Sequence, residues 1–217
     1  MGSVLVIGGG AAGLAAAIAA AECGDTVTVA EKMDRVGKKI LATGNGRCNL
    51  MNTGAPRYPG NAAFAADVLS HCGVEAQKAF WEHLGLRLRQ EEAGRVYPVS
   101  SQASSVLDAL RLQLTALHVR VVTGVSITAL HRENDGWTAL SADGQQFRAN
   151  RVIISGGGCA QPKLGSDGSA LRLLTNLGCP ATTFAPALTQ IITDNQGAER
   201  HPRQGPGGGY RPEKRPA

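Results

Sequence analysis

The stretch VLVIGGGAAGLAAA at residues 4–17 restricts what this chain can become more than any other part of it. From Val4 to Ala21 no side chain is charged or polar, a length that by itself would suit a membrane span. Only Met1, Gly2 and Ser3 stand ahead of it, with no Lys or Arg, and its glycines and alanines offset little of the cost of insertion. Neither a secretory signal nor a membrane anchor is expected. The run resolves instead into parts. Ser3 to Ile7 is a short β-branched strand of the kind buried on both faces of a parallel sheet. Gly8, Gly10 and Gly13 follow as G-x-G-x-x-G, then an alanine-rich helix to about Cys23 that Gly24 ends. Thr26 to Ala30 makes a second apolar strand, with Glu31 at its tip.

Each of these residue types has a mechanical reason to stand where it does. The first glycine permits a tight turn, the second lets backbone approach a pyrophosphate, and the third lets helix and strand pack closely. Phosphates then meet the free N–H groups of the helix N-terminus. An acid about twenty residues further on is placed to accept hydrogen bonds from a ribose diol. Strand, glycines, helix, strand and terminal acid in register therefore predict dinucleotide binding.

The bulk numbers fit a globular protein: 217 residues, 43% hydrophobic and 18% charged, enough for one domain with a real core. The net charge of +5 invites a nucleic-acid reading, but its location argues against one. Between Asn195 and Ala217 five basic residues face two acids, so the basicity is largely a property of that tail. The rest has no Lys/Arg stripe with interleaved aromatics, and no nucleic-acid partner is expected. The five cysteines form no C-x-x-C pair, so neither a zinc site nor a disulfide framework is predicted, and reduced thiols in a cytoplasm are the default. His71, His83, His118 and His131 lack metal-ligand spacing.

Beyond Glu31, the segment KMDRVGKKILATGNGRCNLMNT shows little helical or strand periodicity and reads as a long functional loop. Ala62 to Leu84 is helical, broken at Gly73, with Phe80 and Trp81 as core anchors. GRVYPVS is a strand running to Pro98, and Ser104 or Ser105 caps a helix to about Ala116 with Val106, Leu107, Leu110 and Leu114 on one face. Four strand-like runs follow, Val119 to Val122, Val125 to Leu130, Trp137 to Ser141 and Gln146 to Ala149, predicting a small antiparallel meander. Arg151 to Ile154 resumes a buried strand and stops at three glycines, and Asp167 to Leu177 is a short helix. This order, β-α-β, helices, meander, buried strand, is the plan of an α/β three-layer FAD-binding domain. From Asn195 the chain carries four prolines, five glycines and almost nothing apolar, and is expected to be disordered.

Four segments, VLVIGGGAAGLAAAIAAAECGDTVTVAEK, GKKILATGNGRCNL, GRVYPVSSQASSV and VIISGGGCAQPKLGSDGSALRLLTNLG, resemble the bacterial FAD/NAD(P)-dependent oxidoreductases described as aminoacetone-oxidase-like or bile-acid-reductase-like flavoproteins. The second segment is the most specific to that family. The resemblance covers about residues 3 to 193 and implies a glutathione-reductase-like FAD domain. It implies that Gly8, Gly10, Ala12 and Gly13 hold the pyrophosphate and that Glu31 and Lys32 flank the adenosine ribose. Gly37, Lys38 and Lys39, with Thr43, Gly44, Asn45, Gly46, Arg47, Cys48 and Asn49, would run beside pyrophosphate and flavin. Val125 would offer its backbone to the adenine, and Gly156 and Gly157 would pack against the cofactor. The residues themselves agree in kind: successive amides of TGNGRCN can form an anion-binding nest, and Arg47, Lys38 or Lys39 can balance phosphate charge. Spacing does not say which lysine points inward. Cys48 beside Arg47 reads either as a redox thiol of lowered pKa or, with no second cysteine nearby, as a packing thiol. Tyr97 reads either as a hydrogen-bond donor near the ring or as a packed strand residue.

Members of that family continue for about as many residues again, through a substrate-side domain and a returning C-terminal segment. The chain is thus expected to be a truncated member, 1–193 being an incomplete FAD-binding domain and 194–217 a tail read out of frame. The catalytic residues, the substrate and the oligomeric state stay open. Three functions remain: a flavin-dependent oxidoreductase with NAD(P)H as a possible reductant, a non-catalytic FAD- or ADP-binding module, and an NAD(P)-binding dehydrogenase half.

Overall fold

The computed structural model describes residues 1–55, 58 and 60–184. The strand Ser3–Ile7 (β1), the helix Ala11–Glu22 (α1) and the strand Thr26–Glu31 (β2) form the predicted β-α-β unit. Alternation then decides what each face meets. Val4, Val6, Val27 and Val29 point into one core with Leu14, Ala17 and Ile18 of α1. Leu5, Ile7 and Ala30 point into the other. A strand that is apolar at consecutive positions is therefore covered on both sides.

On the first side lie α1 and the helix Ala103–Ala116 (α5), whose Val106, Leu107, Leu110 and Leu114 are buried as predicted. On the second lies an antiparallel meander, Ile127–Glu133 (β7), Gly136–Ser141 (β8) and Gln146–Ala149 (β9), contributing Ile127, Leu130, Ala139, Phe147 and Ala149. Between them runs a parallel sheet in the order β10-β1-β2-β6, with β6 at Arg120–Thr123 and β10 at Arg151–Ile154. Helices, parallel sheet and meander are the three layers expected. β2 and β10 flank β1 on opposite sides, so the chain direction splits there. A crevice at the carboxyl ends of such strands is where α/β sheets bind ligands.

Several expectations need correction. The first of the four strand-like runs is not part of the meander: β6 pairs parallel with β2, Val121 opposite Val29. Gly124 follows it, its N–H bonded to the carbonyl of Met33, and the meander begins only beyond that turn. The supposed loop after Glu31 contains the helix Lys38–Ala42 (α2), a 3₁₀ turn over Thr43–Gly46 and the strand Met51–Asn52 (β3). β3 joins Leu88–Gln90 (β4) and Arg95–Pro98 (β5) in a small sheet ordered β3-β5-β4. The helical region divides at Gly73 into Ala62–His71 (α3) and Val74–His83 (α4), and Phe80 and Trp81 are only partly buried. Gln102, not Ser104 or Ser105, precedes α5, and no side chain caps it. The last helix is Ser169–Asn176 (α6), with Asp167 outside it, accepting from the Ser169 N–H at 3.0 Å. The tail expected to be disordered lies outside the described residues.

Candidate functional site

The turn after β1 meets the turn after β10. Gly8 has φ +108°, and a Cβ there would fall 2.9 Å from the backbone of Gly156. Gly13 is held tighter still: its Cβ would lie 1.9 Å from the Gly8 carbonyl oxygen and 2.5 Å from Ser155 Oγ. Gly10 differs from both, because nothing among the described residues stands within 4 Å of where its Cβ would be. One motif glycine thus closes the turn, one packs helix on strand, and one leaves a cradle open. Among the described residues no side chain caps α1 at Gly10, and its first turn carries no acid. Its first amides are left for a ligand, with the positive end of the helix dipole behind them.

Glu31 stands opposite and is 8% exposed. Its Oε2 accepts from the Gly9 N–H at 2.6 Å and its Oε1 from the Met33 N–H at 2.8 Å. Each oxygen retains a lone pair, so the carboxylate both fixes the glycine turn and can accept a hydroxyl. Because Glu31 ends β2 and β2 lies beside β1, the sheet register itself brings the acid to the turn: Ile7 pairs with Ala30.

These groups line a crevice of about 500 Å³, within the range of small-molecule and cofactor sites. Of the expected residues it brings together Gly8, Gly10, Ala12, Glu31, Gly37, Lys38, Lys39, Thr43, Cys48, Asn49, Gly156 and Gly157. It continues, through Gly8, Glu31 and Gly156, into a recess of about 40 Å³ where Lys32 and Val125 stand with Ser126 and Leu173. The Val125 N–H is already given to the Glu31 carbonyl at 3.0 Å, so its carbonyl is the backbone group it has to offer. Gly13, Gly44, Asn45, Gly46 and Arg47 line neither cavity.

The cations separate clearly. Lys32 Nζ binds Asp167 Oδ1 at 2.6 Å and Ser169 Oγ at 3.0 Å, and the Lys32 ammonium, with Ser169, holds the Asp167 carboxyl well below the usual range. Lys38 is paired with Asp34 at 2.5 Å. Lys39 donates to the buried hydroxyl of Ser166. Arg47 turns away from the crevice: it is bonded to Glu91 and its guanidinium lies 4.1 Å from the centre of the Tyr97 ring. Arg47 and Tyr97 thereby brace the 43–49 turn. Cys48 is buried, and burial pushes its thiol above the ordinary value against an opposing hydrogen bond with Thr43. The geometry therefore favours the packing thiol over the redox thiol.

Sequence reasoning missed Gly9, Ala11, Met33, Arg35, Ile40, Leu50, Trp81, Ser155, Leu164, Gly165 and Ser166 as lining residues. Ser155 lay next to the glycines that ended β10, and that adjacency was a usable signal. Trp81 and Ser166 arrive from α4 and from the turn before α6, and no local pattern announces either. Taken together, an open glycine, bare helix amides, a buried acid at the strand tip and a basic floor fit a dinucleotide.

Comparison with known proteins agrees in kind. A family model described as HI0933-like protein Rossmann domain matches residues 2–198. The chain is 44% identical over 196 residues to the 3-dehydro-bile acid delta(4,6)-reductase of Clostridium scindens, covering 88% of this chain and 47% of that protein. It is 25% identical over 188 residues to the ribosomal RNA dihydrouridine synthase of Haemophilus influenzae, covering 81% of this chain and 45% of that one. Among solved structures, L-proline dehydrogenase from P. horikoshii superposes with a TM-score of 0.53 at 14% identity, over 81% of this chain and 55% of that one, a likeness of fold alone. The chain spans about half the length of the two relatives.

Proposed function

The chain belongs to the HI0933-like Rossmann-domain family, and on that premise we propose that it is the FAD-binding part of a flavin-dependent oxidoreductase. The observation that carries this reading is the open cradle at Gly10 beside the uncapped N-terminus of α1, faced by buried Glu31. The amides of Ala11 and Ala12 would hold the diphosphate, Glu31 the adenosine ribose, and the Val125 carbonyl the adenine. Gly37, Lys39, Thr43, Asn49 and Gly157 would border the rest of the molecule. When bound, the isoalloxazine supplies the two-electron redox chemistry, and the protein's share is binding, orientation and electrostatics. The sequence match of 44% to a reductase of a 3-dehydro-bile acid, against 25% to an enzyme of ribosomal RNA, favours a small organic substrate.

Trp81 lines the crevice, so binding has a built-in reporter. Titration with FAD is expected to quench tryptophan fluorescence and to leave a flavin spectrum on the protein after gel filtration. Anaerobic NADPH or NADH should then bleach that spectrum if a nicotinamide is the reductant, whereas a non-catalytic module would keep its flavin oxidised. Preferential binding of NAD or NADP with no retention of FAD would overturn the assignment.

A further inference from the structure

The turn over residues 43–49 holds an arrangement that its own sequence does not secure. Gly44, Asn45, Gly46 and Cys48 all have φ between +54° and +81°, and Asn45 and Cys48 carry a Cβ that such backbone disfavours. Two backbone bonds close the turn, from the Arg47 N–H to the Gly44 carbonyl at 3.1 Å and from the Cys48 N–H to the Thr43 carbonyl at 3.0 Å. Among the described residues, the side-chain hydrogen bond that ties it to a distant part of the chain is that of Arg47, to Glu91 just past β4. The same guanidinium lies on the face of Tyr97, which is 6% exposed and whose ring also bounds Gly44: a Cβ there would fall 3.4 Å from Cε1. Glu91 is itself fixed, its N–H given to the Arg95 carbonyl at 2.7 Å and its Oε1 shared between Arg47 and Arg89, the latter at 2.7 Å. Strained backbone persists where its surroundings over-determine it, and here they do so through one carboxylate.

Resting on the FAD reading above, we propose that Glu91 is a positioning residue: held on Arg47, it keeps the 43–49 turn in its left-handed form and so sets Thr43 and Asn49 against the flavin half of the cofactor. Neither Glu91 nor Arg47 lines the crevice or the recess, so both act through the turn. The choice of half follows from the two cavities. Val125 and Glu31, assigned to the adenosine, stand in the recess, whereas Thr43, Asn49 and Leu50 line the crevice and not the recess. The ADP half thus meets α1, Glu31 and Val125, groups to which neither Glu91 nor Arg47 is bonded. Without the carboxylate, Arg47 keeps only the Tyr97 face, and the left-handed residues are free to relax.

The test has two readouts, one of which needs no ligand. In hydrogen exchange of the free chain, Glu91→Gln should speed exchange across residues 43–49 at least about fivefold and leave β1, α1 and α5 unchanged. In calorimetric titrations the same variant should weaken FAD at least about fivefold and ADP less than about twofold. Arg47→Met should do likewise, and the double variant should add less than about twofold to either single change, because both remove one interaction. Arg89→Met removes the other partner of Glu91, which has no bond to the turn, and should keep FAD affinity within about twofold. A carboxylate that merely steadied the β4–β5 hairpin would give Arg89→Met and Glu91→Gln the same effect and would weaken ADP along with FAD. Unchanged exchange over 43–49 in Glu91→Gln, or FAD and ADP weakened alike, would overturn the inference and leave the cofactor reading standing. A wild-type chain that binds neither ligand would remove that reading and the flavin part of the inference, while exchange would still decide whether Glu91 holds the turn.

Discussion

Gly10 and Gly13 belong to one motif and meet opposite demands. A methyl on Gly13 falls into the Gly8 carbonyl, so Gly13→Ala is expected to cost about 3 kcal/mol or more and to lower the melting temperature by several degrees. Gly10 has φ −82° and free space around its Cβ position, so Gly10→Ala should melt within about 2 °C of wild type yet bind FAD at least about tenfold more weakly. A Gly10→Ala chain that bound FAD normally would contradict the cradle. Asp167 makes a pH-dependent contribution whose sign follows from its lowered carboxyl. The unfolded chain takes up that proton near pH ~3.9 while the folded chain resists it, so the stabilisation is complete above that value and is lost as pH falls. Melting curves should therefore show a smaller drop between pH 5 and pH 3 for Asp167→Asn than for wild type. The Asp167 side chain is 43% exposed, so solvent screening keeps the difference small. Glu31 was legible at this scale because an acid at a strand tip has a known task. Its grip on Gly9 and Met33 was not, and neither was the pairing of Arg47 with Glu91, 44 positions away, which no spacing rule reaches.

Elements were legible wherever burial imposes a period. β1 is apolar at successive positions because both of its faces are covered, and α5 shows its stripe because only one is. Leu110, 0% exposed at the centre of that stripe, gives a direct check: Leu110→Ala should cost about 2–5 kcal/mol in chemical denaturation. A cost near zero would mean that α5 does not pack against α1. The elements misread from sequence are those in which neither face is decisive. In β6 the run Arg120–Thr123 exposes most of its side chains, so the sequence is that of any edge strand, and only the crossover through α2 and α5 makes its pairing parallel. α2 has five residues with Ile40 alone buried, too short to display a helical period. Gly44 and Asn45 adopt left-handed backbone within the next turn, which composition marked as irregular but could not shape.

At the scale of the molecule, the crevice exists because three distant parts of the chain, the turn after β1, α2 with the 43–49 turn, and the turn after β10, converge on one end of one sheet. Two of the three were legible as glycine clusters, and the convergence followed from the strand order. One surface stands apart from that logic. α3 buries no residue, and Phe64 and Val68, one helical turn apart, are 66% and 46% exposed. Apolar side chains adjacent on one helix face expose area that water disfavours and that other apolar surfaces cover on encounter. The double variant Phe64→Lys, Val68→Glu removes that face without touching a buried side chain, so the melting temperature should stay within about 2 °C. Fluorescence of the apolar dye ANS and light scattering at high concentration should both fall, while FAD titrations should not change, since neither residue lines the crevice. A large loss of stability in that variant would show that α3 is packed more deeply than its exposure indicates. Unchanged scattering would place the association elsewhere, and β10, an edge strand among the described residues, with Val152, Ile153 and Ile154 only partly covered, would be the next surface to alter.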